Sequence, residues 1–132
     1  MSTSTARCST SVALAGPGEA AQTIAASLNV PYSALVEQII DVAAETQSAT
    51  QLSVSLGSIA SPTLIYVRNR LGHDVGVRFQ AVGADEFQIP NNGVLLIAFP
   101  AAAAAVPITA LKLVTTAEQT VAGAIDVVVA GD

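Results

Sequence analysis

Residues able to do chemistry are few in this chain, and they are scattered. His73-Asp74 is the single histidine–carboxylate neighbour pair, with Cys8 lying 65 positions from that histidine. A Ser-His-Asp machine requires a nucleophile and an orienting acid that converge on the imidazole. Serines are plentiful, but none sits in a recognisable nucleophile turn, so His73 reads as a turn residue facing water. One His and one Cys cannot supply the several matched ligands of a zinc site. Glu37, Asp41 and Glu45 recur every four residues. They could gather a hard cation only on a helix facing another acid. Asp85-Glu86 is a turn pair whose one metal role would be calcium shared between subunits. Gly16-Pro17-Gly18 lacks the helix and lysine that follow in a phosphate loop. Sugar hydrolysis or binding would call for stacking aromatics. The chain has no Trp, only Tyr32 and Tyr66, and Phe79, Phe87 and Phe99, and the three Phe fall in strand runs that suit a core. No catalytic, cofactor-binding or metal-binding residue is expected.

Charge narrows the partners. Arg7, Arg68, Arg70, Arg78 and Lys112 are the only cations, and the formal net charge is −5. Nucleic-acid binding needs clustered cations, because counterion release supplies most of the affinity. Arg68, Arg70 and Arg78 are too few for such a patch, and solvated or interface-pairing arginines fit better. No apolar run approaches the 18 residues of a membrane helix. Met1–Thr10 lacks the basic and apolar regions of a signal peptide, so the expectation is a protein made in the cytoplasm and retained there or in a particle. A lone cysteine cannot bridge within the chain.

The elements that would position any site are strands. Thr63–Arg68, Val75–Gln80, Val94–Phe99, Thr109–Thr115 and Val121–Val129 are β-branched runs separated by turn signals. Each strand can bury one face alone, which calls for a two-layer β domain. Ahead of them, residues 1–11 read as an extended Ser/Thr-rich arm ordered against a neighbour. Val12–Ala15 and Gln22–Leu28 are short strand candidates. Residues 34–46 carry both a helical spacing (Leu35, Ile39, Val42) and an alternating one, and a strand followed by a hairpin partner at Leu52, Val54 and Leu56 is the more economical reading. Glu86–Ile89 follows a turn, and Pro90-Asn91-Asn92-Gly93 is a strong turn signal. Val94–Phe99 is nearly all apolar, so both its faces are expected to be covered. Pro100–Pro107 reads as a close-packed surface loop. The regular spacing of strands and turns gives an all-β antiparallel sandwich at 12–132 behind the arm.

Only 15 of 132 residues are Lys, Arg, Asp or Glu, well under the usual share of about 25%. Interface cores are depleted in Lys and Glu, and edge strands usually carry charges that block edge pairing. Both points favour a subunit that assembles over an isolated globule.

The segments Gln51–Gly57 (QLSVSLG), Ser58–Asn69 (SIASPTLIYVRN), Asp74–Phe79, Phe87–Leu96 (FQIPNNGVLL) and Ile125–Gly131 (IDVVVAG) together resemble small β-sandwich virion proteins of tailed bacteriophages. The likeness covers about residues 48–131 and is one of pattern, with no chemical motif. It implies a jelly-roll-like sandwich and a non-enzymatic virion protein. The expected role is a capsid decoration or cement subunit that binds the major capsid protein and itself, as a trimer for example. Residues 1–11, Asn69–Asp74 and Pro100–Pro107 are the expected contact segments. A tail or head fibre or adaptor subunit is the alternative, as is a receptor- or glycan-binding sandwich domain.

Overall fold

A computed structural model describes residues 4–18, 20, 22–80, 84–99 and 108–132. The described residues form ten strands. They are β1 (Ser4–Leu14), β2 (Gln22–Tyr32), β3 (Ala34–Val42), β4 (Gln51–Val54), β5 (Pro62–Arg70), β6 (Val75–Arg78), β7 (Phe87–Ile89), β8 (Val94–Ala98), β9 (Leu111–Thr115) and β10 (Gly123–Gly131). Two four-stranded sheets, ordered β3-β10-β5-β8 and β4-β9-β6-β7, are antiparallel throughout, and β1 and β2 form a separate two-stranded sheet. The pairing within the sandwich is nested. First pairs with last, β4 with β9, β5 with β8 and β6 with β7. The chain from 34 to 131 is thus one long hairpin rolled over so that successive pairs fall in opposite sheets.

Alternation explains the rolling. Ile65 and Val67 on β5, Ile125, Val127 and Val129 on β10, and Leu111 and Leu113 on β9 all point inward and are almost completely buried. They meet Val75 and Val77 of β6 and Val42 and Val54 in a single core. Each such side chain contributes about 1.5–3 kcal/mol relative to exposure. Residues 34–42 follow the strand pattern. Ala34, Val36, Ile40 and Val42 face the core while Leu35, Glu37, Ile39 and Asp41 face out, so the helical alternative is set aside. The helical spacing fails because a stripe of Leu35, Ile39 and Val42 would leave Val36 and Ile40 uncovered.

Two glycines are required by close approach. At the end of β10 a bulge separates Ala130 from Gly131, and a Cβ on Gly131 would collide with the backbone of Ser61 and Pro62. Gly76 on β6 lies beneath the Asp85 carboxylate, which would occupy the place of a side chain.

The N-terminal segment differs from the expected arm. Ser4–Leu14 is one continuous strand, so the division expected at 11/12 falls inside it, and it pairs along its whole length with β2 from Ser4↔Tyr32 to Leu14↔Gln22. β2 continues through Asn29-Val30-Pro31, where a Pro is tolerated because the strand's other edge is free. Only Ser33 separates β2 from β3. Its backbone N–H donates to Gly131 O (3.0 Å) and its hydroxyl to Asp132 Oδ1 (2.8 Å), pinning the root of the hairpin to the C-terminal strand. Pro100–Pro107 lies outside the described residues.

Candidate functional site

Opposite ends of the sandwich are built differently. At the end where β5 reaches Asn69 and Arg70, the connecting segments are joined by buried amides. Asn69 is wholly buried; its Nδ2 donates to His73 O (2.7 Å) and Ile89 O (2.9 Å), and its Oδ1 accepts from Leu71 N–H (2.9 Å). Gln119, also buried, donates through Nε2 to the carbonyls of Leu71 and Val121. Its Oε1 is left to accept, so His73 Nε2, 2.7 Å away, is the donor in that bond. Thr116 Oγ1 donates to Asp74 O at 2.6 Å.

His73 is therefore half-buried and structurally engaged, which corrects the expected water-facing turn histidine. Around it lie the Gln119 amide, the Asp74 carbonyl (2.9 Å from Nδ1) and Thr116, whose Oγ1 is 3.5 Å from Nδ1 and donates to Asp74 O. Asn91 Oδ1 accepts from Gly72 N–H (3.0 Å), and Asn92 takes the left-handed conformation (φ 63°) in the turn expected at 90–93. Among the described residues, every buried side-chain polar atom has a partner. The buried polar groups of this end are thus spent on holding its turns together.

The remaining sequence candidates do not converge. Glu37 and Asp41 stand on the outer face of β3, and Glu45 lies in the following turn with φ 72°. Asp85 Oδ1 accepts from Arg78 Nε (2.6 Å) and Glu86 Oε2 from Phe79 N–H (3.1 Å), so both carboxylates already have partners. Arg70 pairs bidentately with Asp126 (2.6 and 3.0 Å). The hydrogen bond and charge of Asp126 raise the proton affinity of that guanidinium, and its charge persists across any working pH. Among the described residues no three His, Cys, Asp or Glu are grouped to hold a metal ion. No described helix is long and apolar enough to cross a membrane.

Surfaces carry more information. The outer face of the β4-β9-β6-β7 sheet presents Gln51, Ser53, Lys112, Arg78 and Gln88, which is polar. The outer face of the β3-β10-β5-β8 sheet is apolar in rows that its register fixes. Leu35, Ala130, Leu64 and Ala98 make the first row, Glu37, Val128, Tyr66 and Leu96 the second, and Ile39, Asp126, Arg68 and Val94 the third. Ile39 is 64% exposed, Val94 53% and Leu96 37%. The expectation that both faces of Val94–Phe99 are covered is thus corrected. Leu95 and Ile97 enter the core, while Val94 and Leu96 face out on an edge strand. Phe87, expected in the core, is half-exposed at a strand end and touches Phe79 edge-on, with ring centroids 5.8 Å apart.

The first row is covered by the hairpin. Strict pairing places Ala6, Cys8, Thr10, Val12 and Leu14 on one side of it with Val30, Leu28, Ala26, Ile24 and Gln22. Thr5, Arg7, Ser9 and Ser11 lie on the other side with Pro31, Asn29, Ser27 and Ala25. The hairpin is amphipathic. The root of its apolar side (Val30, Leu28, Ala6, Cys8 and Tyr32) packs on Leu64, Ala130 and Ala98. Its distal half has no cover, with Val12 52%, Leu14 50% and Ile24 62% exposed. Isolated two-stranded hairpins are marginal in water. This one has two free edges and an open apolar side.

No family model matches the chain, and neither a curated protein nor a solved structure is significantly similar to it.

The hairpin was the feature least visible in the sequence. Alternation in Ala6, Cys8, Val12 and Leu14 against Ser and Thr was the available signal, weakened because small and hydroxylated residues stand where large apolar ones would mark a strand.

Proposed function

We propose that this chain is a non-enzymatic structural subunit of a virion. It decorates or cements a capsid by binding the major capsid protein and further copies of itself. The observation that carries this reading is the uncovered apolar surface at the hairpin end, where Val12, Leu14 and Ile24 stand exposed, set on a sandwich whose buried side-chain polar atoms, among the described residues, all have partners. A catalyst needs convergent, unpaired polar groups in a cleft; an assembly subunit needs uncharged surface to bury, and this chain has the latter.

The nested strand order supports a jelly roll, an architecture used by capsid proteins but also by lectins and cupins. Fold alone does not choose among these. The choice rests on the resemblance of residues 48–131 to virion proteins and on the shortage of charge. Binding would act through many weak contacts, each apolar square ångström contributing about 25 cal/mol before the costs of association. Of the contact segments expected from sequence, the hairpin containing residues 4–11 is the best placed. Asn69–Asp74 is the least suitable, because the side chains of Asn69, Arg70 and His73 and the carbonyls of Leu71, His73 and Asp74 are engaged within the chain.

Co-sedimentation tests the reading. Purified protein mixed with capsid shells stripped of accessory proteins should bind saturably, at a fixed stoichiometry to the major capsid protein, and should raise the temperature at which the shells come apart. Binding that never saturates, or shells whose stability is unchanged, would contradict it.

A further inference from the structure

The hairpin covers the first row of its own sheet's outer face and then leaves it, while the second and third rows remain open. One apolar side thus runs from a contact that exists (Val30 and Leu28 on Leu64 and Ala130) into a stretch with none (Val12, Leu14 and Ile24). The sheet's outer face continues in the same way, from covered Leu64 and Ala98 through half-buried Tyr66 to exposed Leu96 and Val94. From the Cys8–Leu28 pair to the Leu14–Gln22 pair the uncovered stretch is six residues, about 20 Å at the rise of a strand.

We infer that these two open surfaces are partners in trans. The distal hairpin of one copy lies over the second and third rows of the β3-β10-β5-β8 outer face of a second copy, extending the contact its root makes at home. This rests on the structural-subunit reading and names the surfaces that join copies. Two observations favour a second copy over an unrelated occupant. The complementarity of these two surfaces is already realised within the chain, at their continuous roots. Val12, Leu14, Ile24 and Ala26 bring no charge to the contact, and of the charges on the two open rows Asp126, on a central strand, is already paired with Arg70.

Site-directed cross-linking tests the assignment in the full chain. With Cys8→Ala as background, chains carrying Ile24→Cys are mixed with chains carrying Leu96→Cys, oxidised, and resolved by mass, while light scattering gives the molar mass before oxidation. The expected result is a mass of two or more chains and a disulfide joining the two different variants in preference to either alone. In parallel, Ile24→Asp and Leu96→Lys should each lower the mass, and mixing the two variants should restore it through opposite charges at one contact. An oligomer that cross-links only Ile24→Cys to itself, or not at all, would overturn this contact and leave the structural-subunit reading standing. A monomeric mass for the unmodified chain would overturn both.

Discussion

The loop end and the hairpin end of the sandwich differ in what they leave exposed. At the loop end, two buried amides, a histidine and Thr116 take up carbonyls and N–H groups of the turns, and every buried side-chain polar atom among the described residues has a partner. At the hairpin end, an apolar strip packs over Leu64, Ala130 and Ala98 on the outer face of one sheet and continues past them, with Val12, Leu14 and Ile24 exposed. Internally hydrogen-bonded ends fix a fold; ends with surplus apolar surface select a partner. The same division separates the two outer faces, polar over β4-β9-β6-β7 and apolar over β3-β10-β5-β8. Under the proposed reading, assembly would run towards that one face and that one end.

The comparison can be broken from the core outward. Leu113→Ala or Ile125→Ala, in the shared core, should cost about 2–5 kcal/mol through lost burial and a cavity, read as a fall in the urea midpoint of the whole domain. Gln119→Leu should come next. It leaves His73 Nε2, Leu71 O and Val121 O without partners, at about 1–3 kcal/mol for each orphaned group. The unfolding midpoint should drop while the molar mass of the folded protein stays as in the unmodified chain. A changed mass there would mean that the loop end also carries an interface.

At the hairpin end the signs invert. Hydrogen exchange at high dilution should show the β1 and β2 amides opening well before those of β5 and β10, since the hairpin root holds a single fully buried side chain, Val30. Concentrating the protein should slow the distal hairpin amides selectively. Ile24→Ser should have the smallest effect on stability, within about 0.5 kcal/mol as for most exposed sites, yet should lower the molar mass. A large loss of stability from that change would show that the distal hairpin is part of the fold rather than an arm.

Much of the sandwich was legible because its signals are local. β5, β6, β8, β9 and β10 are β-branched runs with turn chemistry between them, and the Asn92 turn is what Pro90-Asn91-Asn92-Gly93 demands. At 34–46 the strand reading is right, but the expected hairpin with Leu52, Val54 and Leu56 does not form: β3 pairs with β10 and β4 with β9, in opposite sheets. Val94–Phe99 misled because a run apolar on both faces reads as buried, whereas Val94 and Leu96 face out from an edge strand. The division at residue 11 could not be seen, because register across the hairpin is a pairing between residues up to 28 apart. His73 was misplaced because its partner, Gln119, is 46 positions away and neutral. Sequence patterns locate strands well; they do not say which faces a second molecule covers.

The most direct measurement is the molar mass of the full chain in solution by light scattering across micromolar concentrations. A discrete multiple of 13.3 kDa, returned towards one chain by Ile24→Asp while the unfolding midpoint holds, is the predicted result. A stable 13.3 kDa species at every concentration would contradict the claim that this surface exists to join subunits.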